Sequence, residues 1–261
     1  MIESNIANPC KPVIIGGLPV VRLTSSELAH IMVRDCLAAR KKVQAPRLVF
    51  SANGQSISLA GRHPEFSNIM QSADIIHADG MSVVFASRLF SSKPLPERIA
   101  TTDFFHIAAK SGEMNGLRFF FLGGQEEVNA KAYARAKCLY PKIHWVGRHH
   151  GFFEEHEEDD LCKIIQAARP DVLWIGLGRP KQEIFSVRNR EQLAGIGWIK
   201  TCGGLFDFLA GDINRAPNWM QRTGLEWIWR IIQEPKRLFW RYLFTNIHAL
   251  WCLIIYSRVN K

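Results

Sequence analysis

Cysteine is scarce and scattered: the six residues stand at 10, 36, 138, 162, 202 and 252. No two are close enough for a CxxC metal or redox motif, and the spacing suggests no disulfide framework. Cys162 follows Leu161 and Cys252 follows Trp251. Such apolar settings fit reduced, structural thiols in a cytoplasmic protein. The first twelve residues carry Glu3 and Pro9 without an apolar core, so no signal peptide is expected. Mean hydropathy is −0.06, which argues against a protein that crosses a membrane many times. The patterns GxGxxG, GxxxxGKS/T, GxSxG and HExxH are all missing. Their absence removes the usual dinucleotide, P-loop, serine-hydrolase and zinc-protease motifs. There is also no Asp-x-Asp pair of the kind that holds a metal on a nucleotide diphosphate. His149 and His150 are adjacent but have no nearby carboxylate to complete a ligand triad, so a solvent-facing loop is expected there.

What is present is an ordinary globular composition. The chain has 261 residues, 47% hydrophobic and 22% charged. That suits one large domain, or a domain with an appendage. Acids are in deficit: 24 Asp and Glu face 33 Lys and Arg, a net charge of +9. A basic surface suits an anionic partner, whether phosphate, nucleic acid or an acidic membrane face. The excess is uneven. Positions 211–261 hold eight basic residues against three acids, and five of the eight tryptophans. We therefore divide the chain into a core, 1–210, and a basic, Trp-rich helical appendage, 211–261.

Within the core, short apolar runs alternate with helical stretches. Runs 13–15 and 18–23 flank Gly16-Gly17 and predict a hairpin. Runs 47–52, 74–77, 117–122, 143–146, 171–175 and 197–202 read as buried strands, and 25–40, 125–139 and 157–168 as helices. This alternation predicts an α/β fold, a Rossmann-like, mainly parallel sheet flanked by helices. Small residues follow the strands: Ser51-Ala52-Asn53-Gly54, Ala78-Asp79-Gly80, Gly123-Gly124, Gly176-Leu177-Gly178-Arg179-Pro180 and Gly203-Gly204. Open parallel sheets bind ligands beyond the carboxyl ends of their strands. Five such loops with interleaved Asn, Asp, Gln and Arg suggest a nucleotide-type site. Asp79 stands at a tight strand-to-helix turn, where it suits a general base or a helix cap.

In the appendage, Arg230, Arg237 and Arg241 are spaced by seven and four. That places them on one face of a continuing helix, with Pro235 as a kink point. They suit phosphate groups or lipid headgroups. The stretch 238–256 is near the minimum for a span. Its polar residues Arg241, Thr245 and His248 recur at four and three, forming one stripe. A one-sided apolar helix with Trp240, Trp251 and basic flanks lies in the membrane interface more readily than it crosses.

Taken together, the residues resemble the WecG/TagA/CpsF family of bacterial glycosyltransferases, glycosyltransferase family 26, over roughly 13–245. The matching blocks are Ser51-Ala52-Asn53; Ala78-Asp79-Gly80 with Arg88; Pro96-Glu97-Arg98 with Asp103; and Phe121-Leu122-Gly123-Gly124. They continue with Gly176-Leu177-Gly178, Pro180-Lys181-Gln182-Glu183, Gly203-Gly204, Phe206-Asp207, Arg215-Ala216-Pro217, Gly224-Leu225-Glu226-Trp227 and Arg230. Ser51 replaces the family's commoner Thr, and Thr102 replaces a usual Gly before Asp103. The resemblance implies an inverting, metal-independent transfer of a sugar from a UDP-sugar to an undecaprenyl-diphosphate-linked saccharide in cell-surface polysaccharide synthesis. It implies peripheral attachment at the cytoplasmic face of the membrane. Asp79 is the implied catalytic base. Ser51, Asn53, Arg98, Asp103, Gln182, Arg230, Arg237 and Arg241 are the implied substrate-binding set, with no metal or other cofactor. The expected partners are the UDP-sugar, the lipid-linked acceptor and an anionic membrane surface, without nucleic acid. A homo-oligomer stays open, as does the alternative of a non-catalytic or nucleic-acid-binding protein on this fold.

Overall fold

The computed structural model describes residues 11–257, without the side chains of Arg237 and Arg241. The described residues open with a hairpin, β1 (Val13–Ile15) and β2 (Leu18–Val20), followed by α1 (Ser25–Lys41) and β3 (Arg47–Ala52). Next come α2 (Gly54–Arg62), α3 (Pro64–Gln71), β4 (Ile75–Ala78), α4 (Met81–Phe90) and α5 (Thr101–Met114). Then follow β5 (Arg118–Gly123), α6 (Glu126–Leu139), β6 (His144–His149), α7 (Glu158–Ala168), β7 (Val172–Gly176) and α8 (Lys181–Arg188). The chain continues through β8 (Trp198–Thr201), α9 (Leu205–Ala210), α10 (Asn218–Thr223), α11 (Glu226–Gln233) and α12 (Pro235–Ile255).

Six strands form one parallel sheet in the order β4-β3-β8-β7-β5-β6. The chain steps outward from β3 to β4 in one direction and from β5 to β6 in the other. Winding therefore reverses over the central strands β8 and β7, which is where an open α/β sheet leaves a crevice. Strand residues alternate between two cores. Leu48, Phe50, Ile76, Leu122, Leu173, Ile175 and Ile199 pack on one face. Val49, Ile75, Phe119, Phe121, Val172, Trp174 and Trp198 pack on the other. Burial on both faces explains the near-continuous apolar runs of the sequence.

All six core strands and the hairpin predicted from the sequence are present, as are the three predicted helices. The appendage differs in one respect. Arg230, Arg237 and Arg241 do not share a continuous helix, because α11 ends at Gln233 and α12 begins at Pro235. Proline has no N–H to donate and pushes the residue before it out of the helical region. Glu234 accordingly sits at φ −134° and ψ 61°.

Helix α12 lies along α2. Leu238, Ala249, Cys252 and Leu253 are buried, the last three within the core. His248 Nδ1 meets Ser58 Oγ at 3.2 Å. The inward face thus carries Thr245 and His248 beside Leu238, Ala249, Cys252 and Leu253. Trp240, Leu243, Phe244, Ile247, Leu250, Trp251, Ile254 and Ile255 are exposed on the outside. Apolar residues thus lie on both sides of α12, unlike an amphipathic helix that turns its one apolar stripe to the core. The far end is tied to the hairpin, where Gly17 N donates to Tyr256 O at 3.1 Å and Gly16 N to Ser257 Oγ at 3.0 Å. The stretch Leu238–Ile255 is long and apolar enough to cross a membrane.

Candidate active site

A cleft of about 1430 Å³ opens beyond the carboxyl ends of β3, β4, β7 and β8. Its floor is made by the loops that follow those strands, and α11 and α12 close one side. Two glycines show why the loops need small residues. A Cβ on Gly123, at φ +131°, would sit 2.3 Å from Gly176 O, and one on Gly80 would sit 3.2 Å from Asn53 Cα. Backbones meet there with no room for side chains.

Asp79 is on the floor, one residue past β4. Its Oδ1 accepts from Thr101 N at 2.7 Å and its Oδ2 from Asn53 Nδ2 at 3.1 Å. It does not cap α4: Gly80 holds the N-cap position and no side chain bonds there. Burial favours the neutral acid, but His77, the Thr101 N–H, the Asn53 amide and Arg179 outweigh it and hold the carboxyl below the usual range. Asp79 is therefore ionised at neutral pH and can accept a proton.

Asn53 and Ser51 meet at the end of β3. Asn53 caps α2, its Oδ1 accepting from Ser56 N at 3.1 Å. Gln182, at the start of α8, is buried in the floor. Its Oε1 accepts from Gly203 N at 3.1 Å and its Nε2 donates to Glu183 Oε1 at 2.8 Å. Arg98 lines the cleft and pairs with Glu226 at 3.0 Å. Arg230 lines it from α11, pairs with Glu234 at 3.4 Å and lies over the Phe208 ring at 5.2 Å. Arg98 and Arg230 are thus each held by a carboxylate of the appended segment.

Asp103 is placed elsewhere. It is not among the cleft residues and faces Arg215, whose Nη1 is 2.7 Å from its Oδ1. The side chains of Arg237 and Arg241 lie outside the described residues. His149 and His150 bond locally: His149 Nδ1 contacts His150 O at 2.7 Å, and Phe152 N donates to His150 Nδ1 at 3.2 Å. Among the described residues, no group of three or more His, Cys, Asp or Glu side chains is arranged to hold a metal.

Beneath the floor lies a buried charged layer that the sequence did not announce. Arg179, which also lines the cleft, crosses from the loop after β7 to Ser51 and Asn53, and pairs with Glu183 at 2.9 Å. Lys200, fully buried in β8, donates to Thr201 O at 2.5 Å. Burial pushes its ammonium down to about 8. Burial also drives His77, on β4, well below its usual value.

Comparison with known proteins places this geometry. The profile of the glycosyl transferase WecG/TagA/CpsF family matches residues 13–261. An N-acetylglucosaminyldiphosphoundecaprenol N-acetyl-beta-D-mannosaminyltransferase of Bacillus spizizenii (strain ATCC 23059 / NRRL B-14472 / W23) is 32% identical over 215 residues. Those residues are 81% of this chain and 80% of that one. With a cleft at the winding reversal, an ionised carboxylate, Asp79, on its floor and a family match from the hairpin onward, the chain belongs to the WecG/TagA/CpsF family of glycosyltransferases.

Proposed function

We propose that the protein transfers a sugar, with inversion, from a UDP-sugar to a saccharide on undecaprenyl diphosphate. The relative's name makes N-acetylmannosamine the first donor sugar to test and lipid-linked N-acetylglucosamine the first acceptor. The observation that carries the reading is Asp79, an ionised carboxylate on the floor of a cleft that Arg98 and Arg230 also line. In this scheme Asp79 takes the proton from the acceptor hydroxyl. The oxygen then attacks the anomeric carbon from the face opposite the diphosphate, and UDP leaves. One carboxylate suffices, because UDP is already a good leaving group. Arg98 and Arg230 neutralise the departing diphosphate, exchanging their contacts with Glu226 and Glu234 for phosphate oxygens. No metal is required.

The acceptor's lipid fits the outer side of the cleft. Leu250 and Leu253 of α12 line it, and the exposed face of the same helix carries Trp240 and Trp251. A helix with its apolar side outward and basic residues near its start suits the interface of an anionic membrane at the cytoplasmic face. The core and this appended segment, 211–261, would then meet the bilayer as one peripheral unit.

The test is a UDP-release assay on a panel of UDP-sugars with N-acetylglucosaminyl-diphospho-lipid, run with and without EDTA. UDP-N-acetylmannosamine should support acceptor-dependent release that EDTA leaves unchanged. If no UDP-sugar gives acceptor-dependent release, the reading fails.

A further inference from the structure

The amide of Asn53 is gripped from two directions. Arg179 Nη1 donates to its Oδ1 at 2.7 Å, and Ser56 N donates to the same oxygen at 3.1 Å. Its Nδ2 is left to face Asp79 Oδ2 at 3.1 Å. The opposite orientation would set an NH2 against two donors and a carbonyl against a carboxylate, so the surroundings fix the amide. Ser56 belongs to the helix cap, and Arg179 is the partner that comes from another strand.

Arg179 is itself immobilised. Its side chain is 6% exposed. Nη2 donates to Ser51 O at 2.6 Å and to Ser51 Oγ at 2.7 Å, while Nε donates to Glu183 Oε1 at 2.9 Å. Glu183 Oε1 also accepts from Gln182 Nε2, and Gln182 Oε1 accepts from Gly203 N. An unbroken hydrogen-bonded path therefore runs from the loop after β8, through α8 and the loop after β7, to the end of β3 and Asp79 at the end of β4. Thr101 N fixes the second oxygen of Asp79 from α5.

We propose that Arg179 is a positioning residue: by clamping the Asn53 amide, it holds the Asp79 carboxylate in the orientation and ionisation state that proton abstraction needs. The proposal rests on the reading of Asp79 as the base. Arginine suits this task because a planar fork reaches three partners at once. A lysine presents one ammonium and cannot span Ser51, Asn53 and Glu183 together. The other charged or titratable groups around Asp79 are His77 on its own strand and Lys200 on β8, with Glu183 on α8 near Lys200 and Arg98 lining the same cleft. None of these has a hydrogen bond to the Asn53 amide among the described residues.

Two measurements on the full chain separate this role from simple support of the fold. In protein labelled with 13C at aspartate carboxyls, the Asp79 signal, identified by its loss in Asp79→Asn, should titrate at higher pH in Arg179→Ala than in the wild type. In steady-state assays with the active UDP-sugar, Arg179→Ala should lose about tenfold or more in kcat, with a smaller change in KM for the donor. The acid limb of its rate profile should move up by about one pH unit, the scale of one lost charge-assisted contact. Added guanidinium ion should restore part of the loss. Should the alanine variant not fold, Arg179→Lys decides: it keeps a charge for Glu183 but not the fork, so kcat should fall and the limb should shift in the same direction. Unchanged Asp79 titration and an unmoved acid limb in a folded variant overturn the proposal. A wild type that uses no UDP-sugar removes the proposed function instead, and the carboxyl titration still decides whether Arg179 controls Asp79.

Discussion

At the amino end of the sheet Asp171 is closed in by Arg40 and Arg118; at the carboxyl end Asp79 is held by two hydrogen bonds and faces open space. Asp171 accepts from Arg40 Nε at 2.9 Å, Arg118 Nη2 at 2.9 Å and Arg118 N at 2.7 Å. Asp35 does similar work nearby, accepting from Trp198 Nε1 at 2.9 Å and pairing with Arg47 at 3.1 Å. These contacts tie α1 to β3, β5, β7 and β8. At the other end, Glu183 Oε2 and Thr201 Oγ1 are buried with no hydrogen-bond partner. One end of the strands spends its charges on holding elements together. The other leaves polar capacity unspent, as a site must if it is to act on something else.

The comparison makes opposite demands on two aspartates. Asp79→Asn should lower kcat by about 10²- to 10⁴-fold, the usual worth of a general base. It should leave UDP affinity and the melting temperature close to wild type. Unchanged turnover would erase the distinction between the ends. Asp171→Asn should do the reverse, costing about 3–5 kcal/mol of stability as its arginines lose their counter-charge. Its kcat at low temperature should persist. Burial disfavours the Asp171 carboxylate, yet its bonds to Arg40 and Arg118 hold the pKa below the ordinary value. Its stabilising contribution is therefore complete above about pH 4 and is lost as pH falls through the lowered value. Urea melts against pH should show that acid loss in the wild type and a shallower one in the variant.

Smaller effects sharpen the view of the cleft walls. Arg98→Gln and Arg230→Gln should each weaken UDP binding by about 10- to 100-fold, the scale of a hydrogen bond to a charged group. Calorimetry with UDP would measure it, and a thermal melt should show little change, because their present partners Glu226 and Glu234 are not fully buried. Trp240→Ala and Trp251→Ala should each reduce co-sedimentation with anionic vesicles about fivefold, or ~1 kcal/mol of apolar transfer, without altering UDP binding. Equal vesicle binding would show that the outward face of α12 has another use.

The strands were legible because parallel strands buried on both faces must be Val-, Ile- and Phe-rich throughout. Their end loops were legible because only Gly, Ala, Ser and Asn fit where backbones meet. Helices such as α2 and α8 were less visible, since their first turns merge with those same small-residue loops. Asp79, Asn53, Ser51, Gln182, Arg98 and Arg230 do converge on one cleft. Asp103 shows the limit of spacing: it lies four residues beyond Ile99, yet the turn of α5 points it at Arg215. The continuous arginine face failed at Pro235, where a kink point proved to be a full break. Arg179 was invisible in another way. Its loop was singled out, but nothing in one sequence says that a guanidinium will reach across β8 to the end of β3.

The tie between α12 and the hairpin bears on how the protein is made. Gly16 N and Ser257 Oγ are partners across 241 positions. At about 5–20 residues per second, ribosomes need roughly 10–50 s to cover that distance. During that interval the hairpin's two turn amides are left to water, and the groove along α2 stands open. The strand ends and Asp79 are synthesised before the wall beside them. Helix α12 is therefore the last wall of the cleft to be synthesised, and its tie to the hairpin can close only after residue 257 has been made.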